Sequence, residues 1–244
     1  MKENSKRAHN VFTCIILCLF VAGLCWAQDS KSLYENGGMG YFMMGVGTND
    51  IGSLNAMLKD HAYWDMSDMF YSIGGGGHAI IKRFIIGGEG HNIIGDVVTS
   101  GNTKTSLWGG YGLANVGYVV FATKKLRLYP LVGFGGGGLT FKIVDTQGSP
   151  TFEELLDSPA RSVELSTGCL LASVSFGLDY LIAHEETEEG IAGMILGFRA
   201  GYNFAFSKGE WELDDVAVSD GPEIGFTGPF FRLMIGGGGA GKHK

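Results

Sequence analysis

Beyond its first 27 residues the chain has no run of the roughly 18 uncharged apolar residues that a membrane-crossing helix requires. Proline is scarce, at 5 of 244 residues, and charged residues make up only 18%. Cysteine is almost absent where it would count. Cys14, Cys18 and Cys25 stand in the first 27 residues, and Cys169 alone lies beyond them. A single cysteine cannot close a disulfide within its own chain, so a disulfide framework is excluded. Basic excess is missing too. The formal charge is −7, which argues against a nucleic-acid partner. No residue pattern asks for a cofactor.

The first 27 residues differ from the rest. Lys2, Lys6 and Arg7 give a positive start, and an apolar run, "VFTCIILCLFVAGL", follows. Cys25 and Ala27 are small residues at the −3 and −1 positions of a cut after Ala27. This reads as a secretory signal peptide, which leaves residues 28–244 as one domain. The leader carries more base than acid, so its removal leaves a chain more acidic than −7.

What the sequence has in excess is glycine, at 41 residues against a usual share of about 7%. There is no strict G-X-Y period, and 45% of residues are hydrophobic, so neither collagen nor a disordered glycine-rich chain fits. Glycine must therefore sit inside ordered, apolar structure. Alternation is the second excess. In "LLASVSFGLDY", Leu170, Ala172, Val174, Phe176, Leu178 and Tyr180 share one face. In "LGFRAGYNFAF", Leu196, Phe198, Ala200, Tyr202, Phe204 and Phe206 do the same. Period 2 over so many residues means strand. Strands are expected near 39–47, 70–81, 84–94, 105–121, 126–143, 163–182, 190–206 and 225–238, with a bulge where the Gly135–Gly138 run breaks alternation. Helix is expected only in connections, at 51–61 and 151–161.

The connections alternate in length. Those near 49–69, 95–104, 144–162 and 207–224 are long, and Lys82-Arg83, Ala122–Lys125 and His184–Glu189 are short. Trp108 falls near the long-loop end, with Trp64 and Trp211 in long loops; Phe84, Tyr118, Phe121, Tyr129 and Tyr180 fall near short turns. Two aromatic girdles and alternate short and long connections suit an antiparallel up-and-down β-barrel. On these features the chain resembles the small eight-stranded outer-membrane β-barrels of bacteria, the OmpA/OmpX-like type. The resemblance covers nearly all of residues 28–244. It implies an all-β, transmembrane-type barrel in the outer membrane, with lipid as a partner. A secreted soluble barrel holding a small apolar ligand is the alternative. Its outward face should be rich in charge, whereas the non-apolar face here is mainly Gly, Ser and Ala.

One stretch carries most of the chemistry: "SIGGGGHAIIKRFIIGGEGH", Ser72 to His91. If Lys82-Arg83 is a two-residue turn, Ala79, Ile81, Phe84 and Ile86 share the lipid face. His78, Glu89 and His91 then share the lumen face with Gly74, Gly76 and Gly87, which leave them room. Alternation also places Asp179, Arg199 and Arg232 inward. A buried carboxylate needs a cation, so Glu89 is expected to pair with Arg199 or Arg232, with His78 and His91 completing a lumen network. His78, Glu89 and His91 could instead ligate zinc. The phosphate readings fail. "GGGGAGKH" at 236–243 has His243 where a P-loop needs Ser or Thr, and no helix can follow.

An outer-membrane lipid-modifying enzyme is a further alternative. Ser173, Asp179 and His91 supply the residue types, but no G-x-S-x-G elbow exists. The acidic stretches "KGEWELDDVAVSDGPE" and "TFEELLDSPAR" point to the third class, binding of a cationic ligand or protein by external loops. The leading expectation is a non-enzymatic barrel with a plugged lumen and a structural, adhesive or interaction role through those loops.

Overall fold

The computed structural model describes residues 36–123, 125–148, 151–157, 161–186 and 190–241. The signal-peptide reading, the end of the P-loop-like stretch and residues 187–189 of the 184–189 turn fall outside the described residues. In chain order the elements are β1 (Asn36–Thr48), α1 (Gly52–Asp60), β2 (Met69–Ile81), β3 (Phe84–Ser100), β4 (Thr103–Tyr118), β5 (Phe121–Ala122), β6 (Leu126–Asp145), α2 (Phe152–Asp157), β7 (Ser162–Glu186), β8 (Gly190–Leu213), β9 (Val216–Val218) and β10 (Gly228–Gly241). Each long strand pairs antiparallel with the next, and β10 pairs with both β8 and β1. That last pairing closes a ring of eight strands. β5 and β9 are short additions to β6 and β8.

Closure leaves one face of every strand in a narrow bore and the other outside. The apolar residues of the alternating runs take the outside. Phe134 is 61% exposed, while Leu131, three residues earlier and inward, is 2% exposed. Leu170, Phe176, Leu196, Phe204, Phe231 and Ile235 are likewise exposed, and Ser173, Ser175, Asp179, Arg199 and Asn203 are buried. This is the reverse of a soluble barrel, which would turn its apolar face inward.

The turn at Lys82-Arg83 has φ of 49° and 72°, the mirror-image geometry whose twist matches a two-residue hairpin. It sets Ile81 opposite Phe84 and fixes the register of β2 on β3. The β8–β9 hairpin turns the same way at Asp214 and Asp215.

Four expectations need correction. The Gly135–Gly138 run carries no bulge: β6 pairs without a break to β4 and to β7 throughout it. These glycines admit close neighbours rather than an extra residue; a Cβ on Gly137 would lie 2.5 Å from the Tyr111 Cβ and 2.8 Å from the Phe226 ring. The breaks fall between Ile94 and Val97, and in the β7–β8 pair near Thr167, Leu170 and Leu181. Second, the stretch near 95–104 is no loop. β3 and β4 run on and meet at Gly101, whose φ is 59°. Third, 207–224 is largely β8, its turn and β9, so Trp211 is a strand residue, 3% exposed, donating from Nε1 to the Pro222 carbonyl at 2.7 Å. Fourth, Tyr129 belongs to no girdle. It faces the bore and is fully buried.

The bore is filled in layers. At the long-loop end, Ile51, Leu54 and Leu58 of α1 and its approach pack with Met66, Phe70, Leu139 and the Ile224–Phe226 segment. At the short-turn end, Met39, Met43, Ile195 and Met234 form one cluster, and Ile80, Ile85, Tyr129 and Leu131 another. Polar side chains occupy the space between.

Candidate functional site

The charged groups of the polar layer come from three strands. Glu89 and His91 project inward from β3 because they lie two residues apart. Arg199 on β8 and Arg232 on β10 are direct cross-strand partners. Two guanidinium groups side by side repel each other unless an anion lies between them. Glu89 supplies it. Arg232 Nη1 donates to Glu89 Oε1 at 3.0 Å, and Arg199 Nη1 donates to Oε2. His91 Nε2 lies 3.3 Å from Oε1.

Tyrosines extend the cluster. Arg232 Nη2 donates to the Tyr111 hydroxyl, which also accepts from Asn203 Nδ2 at 3.0 Å. Arg199 Nη2 reaches the Tyr41 hydroxyl at 3.5 Å. The Arg232 guanidinium lies 3.8 Å from the centre of the Phe230 ring, a cation–π contact that needs no hydrogen-bond acceptor. The Nε atoms of both arginines have no hydrogen-bond partner among the described residues.

Glycine makes the layer possible. Gly76 pairs with Glu89, Gly74 with His91 and Gly87 with His78 across β2 and β3. A Cβ on Gly76 would lie 2.9 Å from both the Cα and Cβ of Glu89. One on Gly74 would lie 2.6 Å from His91 Nδ1. Each large polar side chain leans across the bare backbone of its partner strand, which lets eight strands close around charged groups.

Two residues expected in this network meet it through tyrosines and not directly: Tyr41 lies between His78 and Arg199, and Tyr129 between Asp179 and Arg199. His78 makes no hydrogen bond through either ring nitrogen among the described residues. Its ring sits between Tyr41 and Tyr129, at 5.7 Å from each. Asp179 lies in a second cluster nearer the short turns. Its Oδ1 accepts from the Tyr129 hydroxyl at 2.7 Å, and Arg127 Nη2 lies 3.7 Å from Oδ2. Arg127, Tyr41, Tyr111, Tyr129 and Asn203 were not among the expected site residues. The available signal was phase: Arg127 and Tyr129 alternate with Leu126, Leu128 and Pro130, and so belong inside.

Among the described residues, Ser173, Asp179 and His91 are not brought together as a nucleophile with its base. Ser173 and Asp179 lie six residues apart on β7, about 20 Å along the strand. His91 is engaged by Glu89 instead. Among the described residues no group of three or more His, Cys, Asp or Glu side chains is placed to hold a metal. The layer is packed on both sides and leaves its charges facing each other.

The fold is an eight-stranded transmembrane-type β-barrel of the outer-membrane kind. No family model matches the sequence, nor does any curated protein. Solved structures similar to it are outer-membrane barrels. Ail, the attachment invasion locus protein of Yersinia pestis, is 10% identical at a TM-score of 0.40, over 84% of this chain and 95% of that one. The outer membrane protein OprG of Pseudomonas aeruginosa is 9% identical at 0.37, over 86% and 99%. The outer membrane protease OmpT of Escherichia coli is 8% identical at 0.33, over 88% and 99%. With identity and TM-score this low, none of them lends a residue, ligand or activity to this chain.

Proposed function

We propose that this chain is a non-enzymatic outer-membrane barrel with a plugged lumen, and that it works by adhesion or interaction through its long-loop end. The apolar exterior supports a lipid partner. The α1 cap, the Ile224–Phe226 segment and the charged layer beneath them support a bore closed to solutes.

The observation that carries the interaction role is α2. Phe152 is 79% exposed and Leu156 69%, on a six-residue helix that also holds Glu153, Glu154 and Asp157. We read this apolar pair among carboxylates as the contact that a partner at this end would cover. The neighbouring β8–β9 hairpin adds Glu210, Glu212, Asp214 and Asp215 at the same end. The partner is therefore a cationic protein or peptide with an apolar groove.

Two experiments test this. Cell fractionation with a heat-modifiability gel should place the protein in the outer membrane, migrating anomalously until boiled; recovery in the soluble periplasmic fraction sinks the membrane reading. Binding of a Lys/Leu amphipathic peptide to purified barrel should then fall on Phe152→Ser with Leu156→Ser, and with added salt. Unchanged binding in that variant removes α2 from the function.

A further inference from the structure

The short-turn end of the barrel carries exposed charge that neither the Glu89 layer nor the acidic loops use. Two of its connections are basic. Lys82-Arg83 joins β2 to β3, and Lys125 stands just before β6, in the connection from β4. Lys82 and Lys125 are exposed, and among the described residues neither pairs with an acidic side chain. Both connections are held in place. The Arg83 carbonyl accepts from the Val119 N–H at 2.9 Å, which ties one connection to the other. The Lys82 N–H donates to Asn36 Oδ1 at 3.1 Å, and the Lys125 carbonyl accepts from the Leu181 N–H at 2.8 Å.

Beside these cations the outer wall is apolar. Ile81 and Phe84 are cross-strand partners, and both are exposed. Tyr118 meets Phe84 edge-on, with ring centres 5.2 Å apart, and Phe121 adds another exposed ring. Aromatic rings at the rim of such a barrel sit where hydrocarbon gives way to headgroups. Lys82 follows Ile81 directly and Arg83 directly precedes Phe84, so their charges stand at headgroup level. A free phosphate would use only the cations, and an uncharged chain only the rings. A ligand that uses both has an anionic head on an apolar chain.

The far side of the rim is different. The β7–β8 connection lies across the ring of eight from Lys82-Arg83. β7 ends in Glu185 and Glu186, and Glu188 and Glu189 follow in the sequence. One rim therefore has a basic side and an acidic side.

We propose that this rim sorts its lipid neighbours by side. Anionic glycerophospholipid gathers beside the Lys82-Arg83 turn and Lys125, with its chains along Phe84, Tyr118 and Phe121. It is turned away from the β7–β8 side. The inference rests on the membrane reading given above.

The test uses the full barrel in phosphatidylcholine nanodiscs that contain a small fraction of nitroxide-labelled lipid, the label near the top of one chain. The labelled lipid is phosphatidylglycerol in one arm and phosphatidylcholine in the other. Paramagnetic relaxation of the backbone amides of Phe84 and Phe121 is compared with that of Ile191. A basic residue at the surface enriches anionic lipid about fivefold. Labelled phosphatidylglycerol should therefore relax Phe84 and Phe121 about fivefold more than labelled phosphatidylcholine does, with no gain at Ile191. Added salt should weaken the difference. Lys82→Gln with Lys125→Gln, both at exposed positions, should remove most of it. Equal relaxation by the two lipids in an inserted barrel overturns the proposal and leaves the membrane reading standing. Failure of the barrel to insert overturns both. An undiminished preference in the double variant overturns the assignment to these lysines. Full competition by glycerophosphoglycerol, the headgroup without chains, overturns lipid docking in favour of a simple phosphate site.

Discussion

Removing Glu89 should be far more damaging than removing either arginine that holds it. Glu89 is shared: one carboxylate oxygen faces Arg199 and the other Arg232. With Arg199→Met the carboxylate keeps the Arg232 contact at 3.0 Å and the His91 contact at 3.3 Å. With Glu89→Gln, two arginines on directly paired positions lose their anion together and are left facing each other. Breaking one buried pair costs about 3–5 kcal/mol. Glu89→Gln should lie at or above the top of that range and each single Arg→Met at or below its bottom. The double variant Glu89→Gln with Arg199→Met removes the repulsion between guanidiniums and should be more stable than Glu89→Gln alone. The assay is urea unfolding in lipid vesicles, read by the folded and unfolded bands on an unboiled gel. Additive effects of Glu89→Gln and Arg199→Met would refute the shared-anion reasoning. So would an Arg199→Met effect as large as that of Glu89→Gln.

Three further outcomes follow from the same structure. Phe198→Arg, on the outward face of β8, should cost about 2–4 kcal/mol if it lies near the membrane midplane, and the same unfolding gel measures it. Gly76→Ala should destabilise by about 1–3 kcal/mol on the same gel through overpacking, because its Cβ would press on the Gly88 carbonyl and on the Cα and Cβ of Glu89, atoms that trimming Glu89 to alanine would not remove. Planar-bilayer recording of purified barrel should show no stable large conductance, because eight strands leave room for little beyond side chains.

Much of this architecture is legible in the sequence because period 2 is unforgiving. A shift of one residue would reverse every side chain of Leu170–Tyr180 or Leu196–Phe206, and the alternation of apolar residues in each run is unbroken. The Lys82-Arg83 turn then follows, and with it the pairing of Gly76 with Glu89. Position along a strand is less visible. Tyr129 looks like an interface residue because it stands near a turn, yet its phase sends it inward to Asp179. Which arginine meets Glu89 depends on how eight strands stagger around the ring, and no single strand encodes that. The Ile224–Phe226 segment was hidden for a different reason. Three residues have no period, and only the closed bore shows that Phe226 fills it beside Tyr111, at 4.8 Å between rings.

The glycine seats have a consequence for how this sequence can change over time. The limit at these seats comes from backbone as well as from the large side chains. A Cβ on Gly76, Gly74 or Gly87 would press first on the carbonyl oxygen of Gly88, Gly90 or Gly77 of the partner strand. Trimming Glu89, His91 or His78 would leave those oxygens where they are. In descendants of this barrel the bare positions should therefore be the most constant part of the wall, more so than the large side chains that lean over them.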